Sequence, residues 1–396
     1  MSGIQTADQE RPTLRNWLSV ATVAIGIFIF VTTEMLPVGV LPAIGAALNV
    51  SDGTVGLTVT VPAIVAAFTG PLLTVATGRL DRRLMLCVLL ALLAAGNLIS
   101  AMASSFPVLL GARILVGLSI GGFWSIAAAI AVRLVPPAAV GRATALIFSG
   151  VATASVVGVP AGTLIGDIGG WRSAFIAAGL LSLLVLVAMV TLLPRLPAKQ
   201  TIRLGALPSL LGNATLRMGL LATFLLITGH FSAYTFVSPF LQQVSGIDGN
   251  LISSLLLVYG TAGIIGNFVA GPAAVRNVRR TLLLIVGGIT VSLLLMSLFG
   301  NEPVGGIAFL VAWGLTYGGV SVSLQTWMLK IAPHAMEAAS ALYVAVFNLS
   351  ISLGALVGGQ AVDNIGTASV TWLGGGLVLL SAAAIWSAKT KEAQPQ

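Results

Sequence analysis

Charge is scarce in this sequence. Of the 396 residues, 8% are Asp, Glu, Lys or Arg and 57% are hydrophobic, and the mean hydropathy is +1.05. A soluble protein of this length needs much more polar surface, so the composition excludes a soluble enzyme. The apolar segments run for about 20 residues, which is the length at which an α-helix crosses a bilayer. We therefore predict an all-α polytopic membrane protein.

Other features are also missing. Cys87 is the single cysteine, so an intrachain disulfide is excluded. His, Cys and carboxylate residues are not spaced for a catalytic metal, and no GxxxxGK[ST] loop occurs for ATP. No basic stretch is interleaved with aromatics, which argues against a nucleic-acid partner. The first apolar run is too long for a signal peptide and lacks a small-residue cleavage site, so it should remain as the first span. We expect no cofactor.

Twelve membrane spans are predicted from hydropathy and turn signals. One long polar connector, residues 194–214, separates the halves 1–193 and 215–396, each of six spans. We expect each half to form one six-helix bundle, with the connector as a cytoplasmic linker. The spans are placed at 17–44, 54–76, 83–103, 107–133, 139–165, 170–193, 215–240, 250–273, 280–299, 304–330, 338–361 and 367–388.

The distribution of basic residues predicts the orientation. Apart from Arg113, inside span four, and Arg172, in an opposite loop, the Lys and Arg residues fall on one side of the predicted spans, which should be cytoplasmic. The opposite loops carry Asp52, Asp167, Asp248, Glu302 and Asp363. Both termini are therefore predicted to be cytoplasmic, in a bacterial inner membrane. The formal charge of +8 then reflects topology rather than a nucleic-acid site.

The two halves resemble each other, which indicates an internal repeat. Span one contains TTEMLPVGVLP and span seven contains TGHFSAYTFVSP, and superposing them places Glu34 opposite His230. A duplicated membrane protein with a site at the interface of its repeats is the usual architecture of a secondary transporter.

Three sequence motifs follow span two, lie in span four and lie in span five, respectively. They read Thr77-Gly-Arg-Leu-Asp-Arg-Arg83, Arg113-Ile-Leu-Val-Gly117 and Gly158-Val-Pro-Ala-Gly162. With them the chain resembles, over its whole length, the major facilitator superfamily and its drug:proton antiporter family with twelve spans. The runs TTEMLPVGVLP, GGFWSIAAAIAVRLVPP and AVDNIG resemble bacterial exporters of sugars and of purine ribonucleosides. The resemblance implies two pseudo-symmetric six-helix bundles and an efflux permease driven by proton entry.

Glu34 is the first candidate for carrying the coupled proton. It is a lone carboxylate inside a long apolar span, where charge is costly unless it is neutralised, paired or hydrated. A carboxyl group in such a place can take up a proton from one side and release it to the other. The alternative is that Glu34 only bonds a neighbouring helix.

His230 and Arg113 are further candidates for proton coupling. An imidazole titrates near neutral pH, but His230 can equally be a neutral residue bonded between helices, or a substrate ligand. Arg113 resembles the superfamily arginine implicated in proton transfer. It can equally snorkel or bond backbone carbonyls.

Two further groups complete the predicted site. Asp81, Arg82 and Arg83 are predicted to gate the cytoplasmic side, where the carboxylate can cap the N-terminus of a neighbouring helix. Gly158, Pro160 and Gly162 are predicted to form a close-packed, bendable element. Mid-span aromatic and amide groups are predicted to line the substrate cavity, namely Phe123, Trp124, His230, Tyr234, Gln325, Asn348 and Asn267.

The sequence favours proton-coupled efflux of a small polar or amphipathic molecule, such as a purine ribonucleoside, a sugar or a drug. Import or uncoupled facilitation of a similar solute is the alternative. A membrane enzyme is disfavoured because no catalytic group is clustered near one membrane face, and a receptor because no signalling domain is present. We expect protons, a small solute and the lipid bilayer as partners, and a monomeric chain.

Overall fold

The computed structural model describes residues 12–76, 80–197, 212–331 and 336–388, and within these ranges it is helical without any strand. Short 3₁₀ and π segments connect some of the helices. In chain order the α-helices are α1 (Leu14–Leu48), α2 (Asp52–Val55), α3 (Leu57–Ala76), α4 (Arg82–Met102), α5 (Phe106–Leu134), α6 (Val140–Thr153), α7 (Val159–Gly169), α8 (Trp171–Leu192), α9 (Ala214–Tyr234), α10 (Val237–Pro239), α11 (Ile252–Phe299), α12 (Pro303–Tyr317), α13 (Val320–Ile331), α14 (Met336–Asn364) and α15 (Ser369–Ser387).

Several helix ends carry capping groups. Thr13 and Asn16 form a capping box at the start of α1, and Asn49 ends that helix with a left-handed φ of 52°. The Asp81 carboxylate begins α4 by accepting the backbone N–H of Arg83 at 2.8 Å. The predicted linker 194–214 lies mostly outside the described residues.

The predicted connection between spans 250–273 and 280–299 is a kink rather than an extended loop. The two spans form the 48-residue helix α11, whose backbone is non-helical at Asn277, between the predicted spans. At about 1.5 Å per residue this helix would measure about 72 Å, more than twice the hydrocarbon core. It is therefore long enough for two crossings that meet at Asn277.

Eleven helical segments of the described ranges are long and apolar enough to cross a membrane. Residues 249–299, which include α11, form one of these eleven segments. The number of twelve spans thus stays a prediction. All-helical character with long apolar helices is confirmed.

Several predicted spans are not single helices. Span five consists of α6, a π segment at Ala154–Gly158 and α7. Span seven breaks after Tyr234 and ends in a second π segment, Phe240–Val244. Such irregular backbone is tolerated within a membrane where it is buried in protein. The first π segment is covered by α1 and α11, and in the second Phe240 and Leu241 are buried while Gln243 is exposed.

The helices pack mostly within the half of the chain to which they belong. Helix α1 packs on α6 and α8, and α3 and α4 pack on α5; in the second half, α9 packs on α14 and α15, and α11 packs on α12. Across the halves, α14 packs on α3 and α11 packs on α7. A Cβ atom at Gly260 would collide with the backbone oxygen of Ser155, so the crossing of α11 over the first π segment requires glycine.

The two ends of the bundle differ in charge and in bonding. We call the end that carries Asp52, Asp248 and Asp363 the acidic end, and the end that carries Asp81, Arg133 and Lys330 the basic end. At the basic end, Asp81 accepts the backbone N–H of Leu196 at 2.9 Å. The Lys330 ammonium donates to the carbonyl of Val275 at 2.7 Å. Both of these bonds stay within one half of the chain.

At the acidic end, hydrogen bonds join the two halves. Asp363 accepts the Ser51 hydroxyl at 2.7 Å and the backbone N–H of Gly53 at 3.0 Å. The Gln243 amide donates to the Asp52 carboxylate at 2.7 Å and accepts the Thr367 hydroxyl at 2.8 Å. Because Ser51, Asp52 and Gly53 belong to the first half and the other partners to the second, this network holds the acidic end closed.

We expect Asp363→Ala to loosen the acidic end. The change removes two hydrogen bonds to a carboxylate, and such bonds contribute about 1.5–3 kcal/mol each before water replaces them. The measurement is a spin-label distance distribution between cysteines at Ile168 and Ile365, two exposed residues on opposite halves, in a Cys87→Ser chain. The distribution should gain longer distances.

Asp248→Ala provides the control for this measurement, because Asp248 caps its own turn by accepting the N–H of Asn250 at 2.9 Å. Its distribution should match that of the parent chain. Equal distributions for Asp363→Ala and Asp248→Ala would show that the Asp363 bonds do not hold the two halves together.

Candidate functional site

Glu34 is buried inside α1 and only 7% of its surface is exposed. Among the described residues, no hydrogen bond or ion pair engages its carboxylate oxygens. The carboxylate lies within electrostatic range of the Arg113 guanidinium. A buried carboxyl group without a bonded partner is costly in its ionised form unless a nearby cation or a proton compensates it. This environment differs from that of the other acidic residues described above, which all accept hydrogen bonds.

Arg113, on α5, is fully buried. Its Nε donates to the carbonyl of Thr58 at 2.9 Å, and its Nη2 donates to the carbonyl of Thr33 at 3.1 Å and to that of Glu34 at 3.4 Å. Nη1 has no partner among the described residues. The guanidinium thus bonds backbone carbonyls of α1 and α3, which was one of the two alternatives for this residue.

Asn97 on α4 supports the same stretch of α1. Its amide donates to the Thr33 hydroxyl at 3.1 Å, and both side chains are fully buried. Thr33 is therefore held through its hydroxyl by Asn97 and through its carbonyl by Arg113. The position of Glu34, the next residue in the helix, is fixed by these bonds rather than by bonds of its own carboxylate.

His230 is 1% exposed and lies in the second half, on α9. Its Nδ1 accepts the indole N–H of Trp313 at 3.2 Å. The imidazole also stacks on Tyr317, with ring centroids 3.4 Å apart and planes at 7°. A hydrogen-bonded histidine between helices was one of the alternatives, and this is the arrangement that the structure has.

The rings around His230 form one group, which we call the aromatic cluster. It comes from α9, α11 and α12, and its ring centroids lie 3.4–6.1 Å apart. The Tyr259 hydroxyl is buried and has no partner among the described residues. The members of the aromatic cluster are His230, Phe231, Tyr234, Tyr259, Trp313 and Tyr317.

The sequence analysis identified His230 and Tyr234 but missed Tyr259, Trp313 and Tyr317. A usable signal was present, because Trp313 and Tyr317 are spaced i, i+4 in span ten and therefore lie on one face of a helix. What could not be read from the sequence is that this face meets α9 and α11.

The aromatic residues predicted in span four occupy different surroundings. Phe123 is fully buried and stacks on Phe30 of α1, with centroids 4.1 Å apart. Trp124 is half-buried and stacks on Phe148 of α6 at 6.4 Å. In this conformation Phe123 contacts protein on all sides, so its role in binding substrate stays a prediction.

The predicted amide ligands are dispersed. Asn348 on α14 is buried, and its amide donates to the carbonyl of Val344 at 2.9 Å, within the same helix. Gln325 and Asn267 are both exposed, and Phe268 beside Asn267 is 74% exposed. None of the three has a described contact with the aromatic cluster, and their roles stay predictions.

The predicted gating residues are placed as follows. Asp81 caps its own helix, α4, rather than a neighbouring helix, and binds the linker through Leu196. Arg82 places its Nη1 3.3 Å from the sulfur of Met85, and Arg83 donates to the carbonyl of Val190. Gly158, Pro160 and Gly162 are all buried at the π segment and the start of α7. A Cβ atom at Gly158 would meet Thr32 and one at Gly162 would meet Leu36, so this element packs against α1.

The two candidate groups meet across the interface between the halves. Helix α1 contacts α10, where the Ser238 hydroxyl donates to the carbonyl of Val38 at 2.8 Å. Tyr317 of the aromatic cluster lies within electrostatic range of Glu34, although no hydrogen bond joins these two described residues. A titratable carboxyl group of the first half and an aromatic, hydrogen-bonding group of the second half therefore both lie near the interface between the halves. Within the described ranges, no three His, Cys, Asp or Glu residues come together to hold a metal ion.

Comparison with solved structures supports the fold. A bacterial homologue of the human lysosomal transporter Spinster, crystallised in an inward-facing and unoccupied conformation, superposes with a TM-score of 0.69 at 17% identity, covering 96% of each chain. The same homologue in its occupied, inward-facing conformation gives a TM-score of 0.71 at 15% identity over 95% of each chain. The human organic anion transporter MFSD10 (TETRAN) gives 0.68 at 18% identity, covering 93% of this chain and 99% of that one.

The family model described as Major Facilitator Superfamily matches residues 23–355 and 220–396, which together cover nearly the whole chain. The predicted fold class, an all-helical membrane protein of the major facilitator type, is confirmed, and so is the expectation of a transporter rather than an enzyme. The chain belongs to the major facilitator superfamily.

Proposed function

We propose that this transporter is a proton-coupled antiporter that exports a small polar or amphipathic molecule, such as a purine ribonucleoside, a sugar or a drug. The observation that carries the proposal is the buried Glu34 carboxyl group, which has no hydrogen bond among the described residues and lies beside Arg113 and the aromatic cluster. A buried carboxyl group without a hydrogen bond contributes little to the stability of the fold, and it is free to bind and release a proton.

Proton coupling follows from two ways to neutralise the Glu34 carboxylate, by a bound proton or by the charge of Arg113. Glu34 is neutral when it holds a proton, and its charge is balanced by the free Nη1 of Arg113 when it does not. Arg113 is held in place by hydrogen bonds to the backbone of α1 and α3. The change between protonated Glu34 and Glu34 paired with Arg113 therefore needs only movement of the Glu34 side chain. Substrate bound at the aromatic cluster would lie close enough to influence whether Glu34 is protonated or ionised.

The closed acidic end supports alternating access between two conformations. We assign the acidic end to the periplasm and the basic end to the cytoplasm of a bacterial inner membrane, because the Lys and Arg residues concentrate at the basic end. The network of Ser51, Asp52, Gln243 and Asp363 then closes the periplasmic side. Substrate would enter from the cytoplasm, and rocking of the two halves would break this network and release substrate outside.

Export as the direction rests on the sequence resemblance to exporters in spans one, four and eleven. Drive by protons rests on Glu34. We propose a monomer in which Asp81, Arg82 and Arg83 help to close the basic end when the acidic end opens, and in which Gly158, Pro160 and Gly162 let α7 bend against α1.

The substrate and the coupling are tested together in inside-out vesicles that contain the purified chain. Nucleosides, sugars and cationic drugs are offered one class at a time, with and without an imposed pH gradient. We expect accumulation of one class that depends on the gradient. Accumulation that ignores the gradient would indicate an uncoupled facilitator, and inhibition by the gradient that should drive antiport would indicate an importer.

Glu34→Gln should abolish transport driven by the pH gradient while retaining exchange of substrate across the membrane. Glutamine has the shape of the protonated carboxyl group but cannot release a proton, so we expect gradient-driven accumulation to fall by about tenfold or more. Asp167→Asn, which neutralises an exposed carboxylate on α7 in the same half, is the matched control and should keep full accumulation. Wild-type accumulation by Glu34→Gln would overturn the assignment.

Arg113→Gln should destabilise the protein as well as impair coupling. Glutamine is too short to bond the carbonyls of Thr33 and Thr58 together, and a buried carbonyl without a partner costs about 1–3 kcal/mol. We expect a lower Tm in detergent, with Arg172→Gln as control, because Arg172 is only half-buried and bonds a single carbonyl, that of Ala103, at 2.8 Å. A Tm for Arg113→Gln no lower than that of Arg172→Gln would show that the three carbonyl bonds add little.

A further inference from the structure

The hydrogen bond between Trp313 and His230 determines where the imidazole carries its proton. An indole N–H is a donor only, so the Nδ1 atom that receives it at 3.2 Å must present a lone pair. A neutral imidazole whose Nδ1 has a lone pair carries its proton on Nε2. His230 therefore holds the Nε2–H tautomer.

The ring cannot easily adopt another orientation. Tyr317 stacks on the imidazole at 3.4 Å and Tyr234 stacks at 5.2 Å with planes at 18°, while the rings of Phe231 and Trp313 meet it edge-on. Turning the imidazole over would place a C–H group against the indole N–H of Trp313. Trp313 is 1% exposed, so its N–H would lose its partner in a buried place.

The same contact opposes a charged His230. A second proton would sit on Nδ1 and would point at the indole N–H, so two donors would face each other. Stacking against Tyr317 and Tyr234 favours a cation to some degree. The tyrosines bring no negative charge, however, and Glu34, a carboxyl group within electrostatic range of Tyr317, lies on the other half of the chain. His230 is thus a neutral donor rather than a proton carrier.

The donor is available to a ligand. Nε2 bonds no atom of the described residues, and the Tyr259 hydroxyl, which stacks in the same cluster through its ring, also lacks a partner there. A ring N–H without a hydrogen bond and a buried hydroxyl without a partner, beside stacked aromatic faces, are typical of a binding site for a ring with polar edges. An N–H donor selects an oxygen or nitrogen atom with a free lone pair.

We propose that Trp313 is a positioning residue that fixes the Nε2–H tautomer of His230, and that the transported molecule is recognised there through an uncharged acceptor atom, a carbonyl, hydroxyl or ring nitrogen. The second part rests on the proposed transport function. The site then accepts neutral ring compounds with acceptor atoms, and it discriminates against organic cations that offer only donors.

The tautomer is measured by NMR of the full-length protein labelled with ¹⁵N-histidine. The chain has two histidines, His230 and His334, which lies outside the described residues, so His334→Gln leaves a single signal set. We expect protonated Nε2 and unprotonated Nδ1 at neutral pH. A protonated Nδ1, or an imidazolium, would overturn the inference, and because this measurement uses the intact site it needs no variant at Trp313.

Trp313→Phe keeps an aromatic ring but removes the donor, so the two tautomers should mix and the ring should protonate more readily as the pH falls. Trp327→Phe is the matched control, because Trp327 is also buried in span ten and its indole N–H has no partner among the described residues. It should leave the His230 signals unchanged. Unchanged signals in Trp313→Phe would overturn the positioning role.

The vesicle assay tests the recognition step with the substrate class that the panel identifies. Loss of one well-oriented hydrogen bond in Trp313→Phe should raise KM by about tenfold with a smaller effect on kcat, whereas Trp327→Phe should keep both. An organic cation without an acceptor as the preferred substrate would overturn the recognition step. An Nε2–H signal together with absence of gradient-driven transport would refute the proposed function but retain the positioning role. Gradient-driven transport together with a protonated Nδ1 would refute the inference and leave the proposed function standing.

Discussion

The buried guanidinium of Arg113 joins three helices at the centre of the first half. It donates hydrogen bonds to the backbone carbonyls of Thr33, Glu34 and Thr58 and donates none to the nearby carboxylate of Glu34. A cation enclosed in this way is stabilised by the carbonyl dipoles, and in addition by Glu34 when that carboxyl group is ionised. These carbonyl bonds hold the backbone of α1 around Glu34 in place. Because they engage the backbone only, the Glu34 carboxyl group keeps no hydrogen bond to a described residue.

The halves meet through contacts of opposite kinds. At the π segment of span five they touch through glycine and bare backbone, with Gly260 against Ser155, and such a surface can slide because it has few directional bonds. At the acidic end they are joined by the carboxylates of Asp52 and Asp363, each in a directed hydrogen bond. A smooth pivot combined with a breakable polar closure is what two rocking bundles require. The same packing rules that stabilise membrane helices thus also prescribe where this molecule can move.

The two sides of the central site are chemically complementary. The first half supplies the titratable group, Glu34, with its compensating cation. The second half supplies neutral rings, in which His230 is bonded to Trp313 and stacked on Tyr317. In the proposed mechanism the first half carries the proton and the second half binds the solute, so the two can compete because their sites are close. Neither half requires a charged substrate.

The sequence by itself determined the class and the helical character, and it predicts the spans and the orientation, because hydropathy, helix length and basic residues are local properties. It also singled out Glu34, Arg113 and His230, since a polar group inside an apolar run is visible without any fold. The tertiary structure decided what those groups do, because hydrogen-bond partners are set by residues far apart in the chain. Arg113 bonds carbonyls 55 and 80 residues away, and His230 receives its bond from Trp313, 83 residues away. Likewise, only the tertiary structure shows that Phe123 is enclosed and that the connection between the two crossings of α11 is reduced to a kink at Asn277.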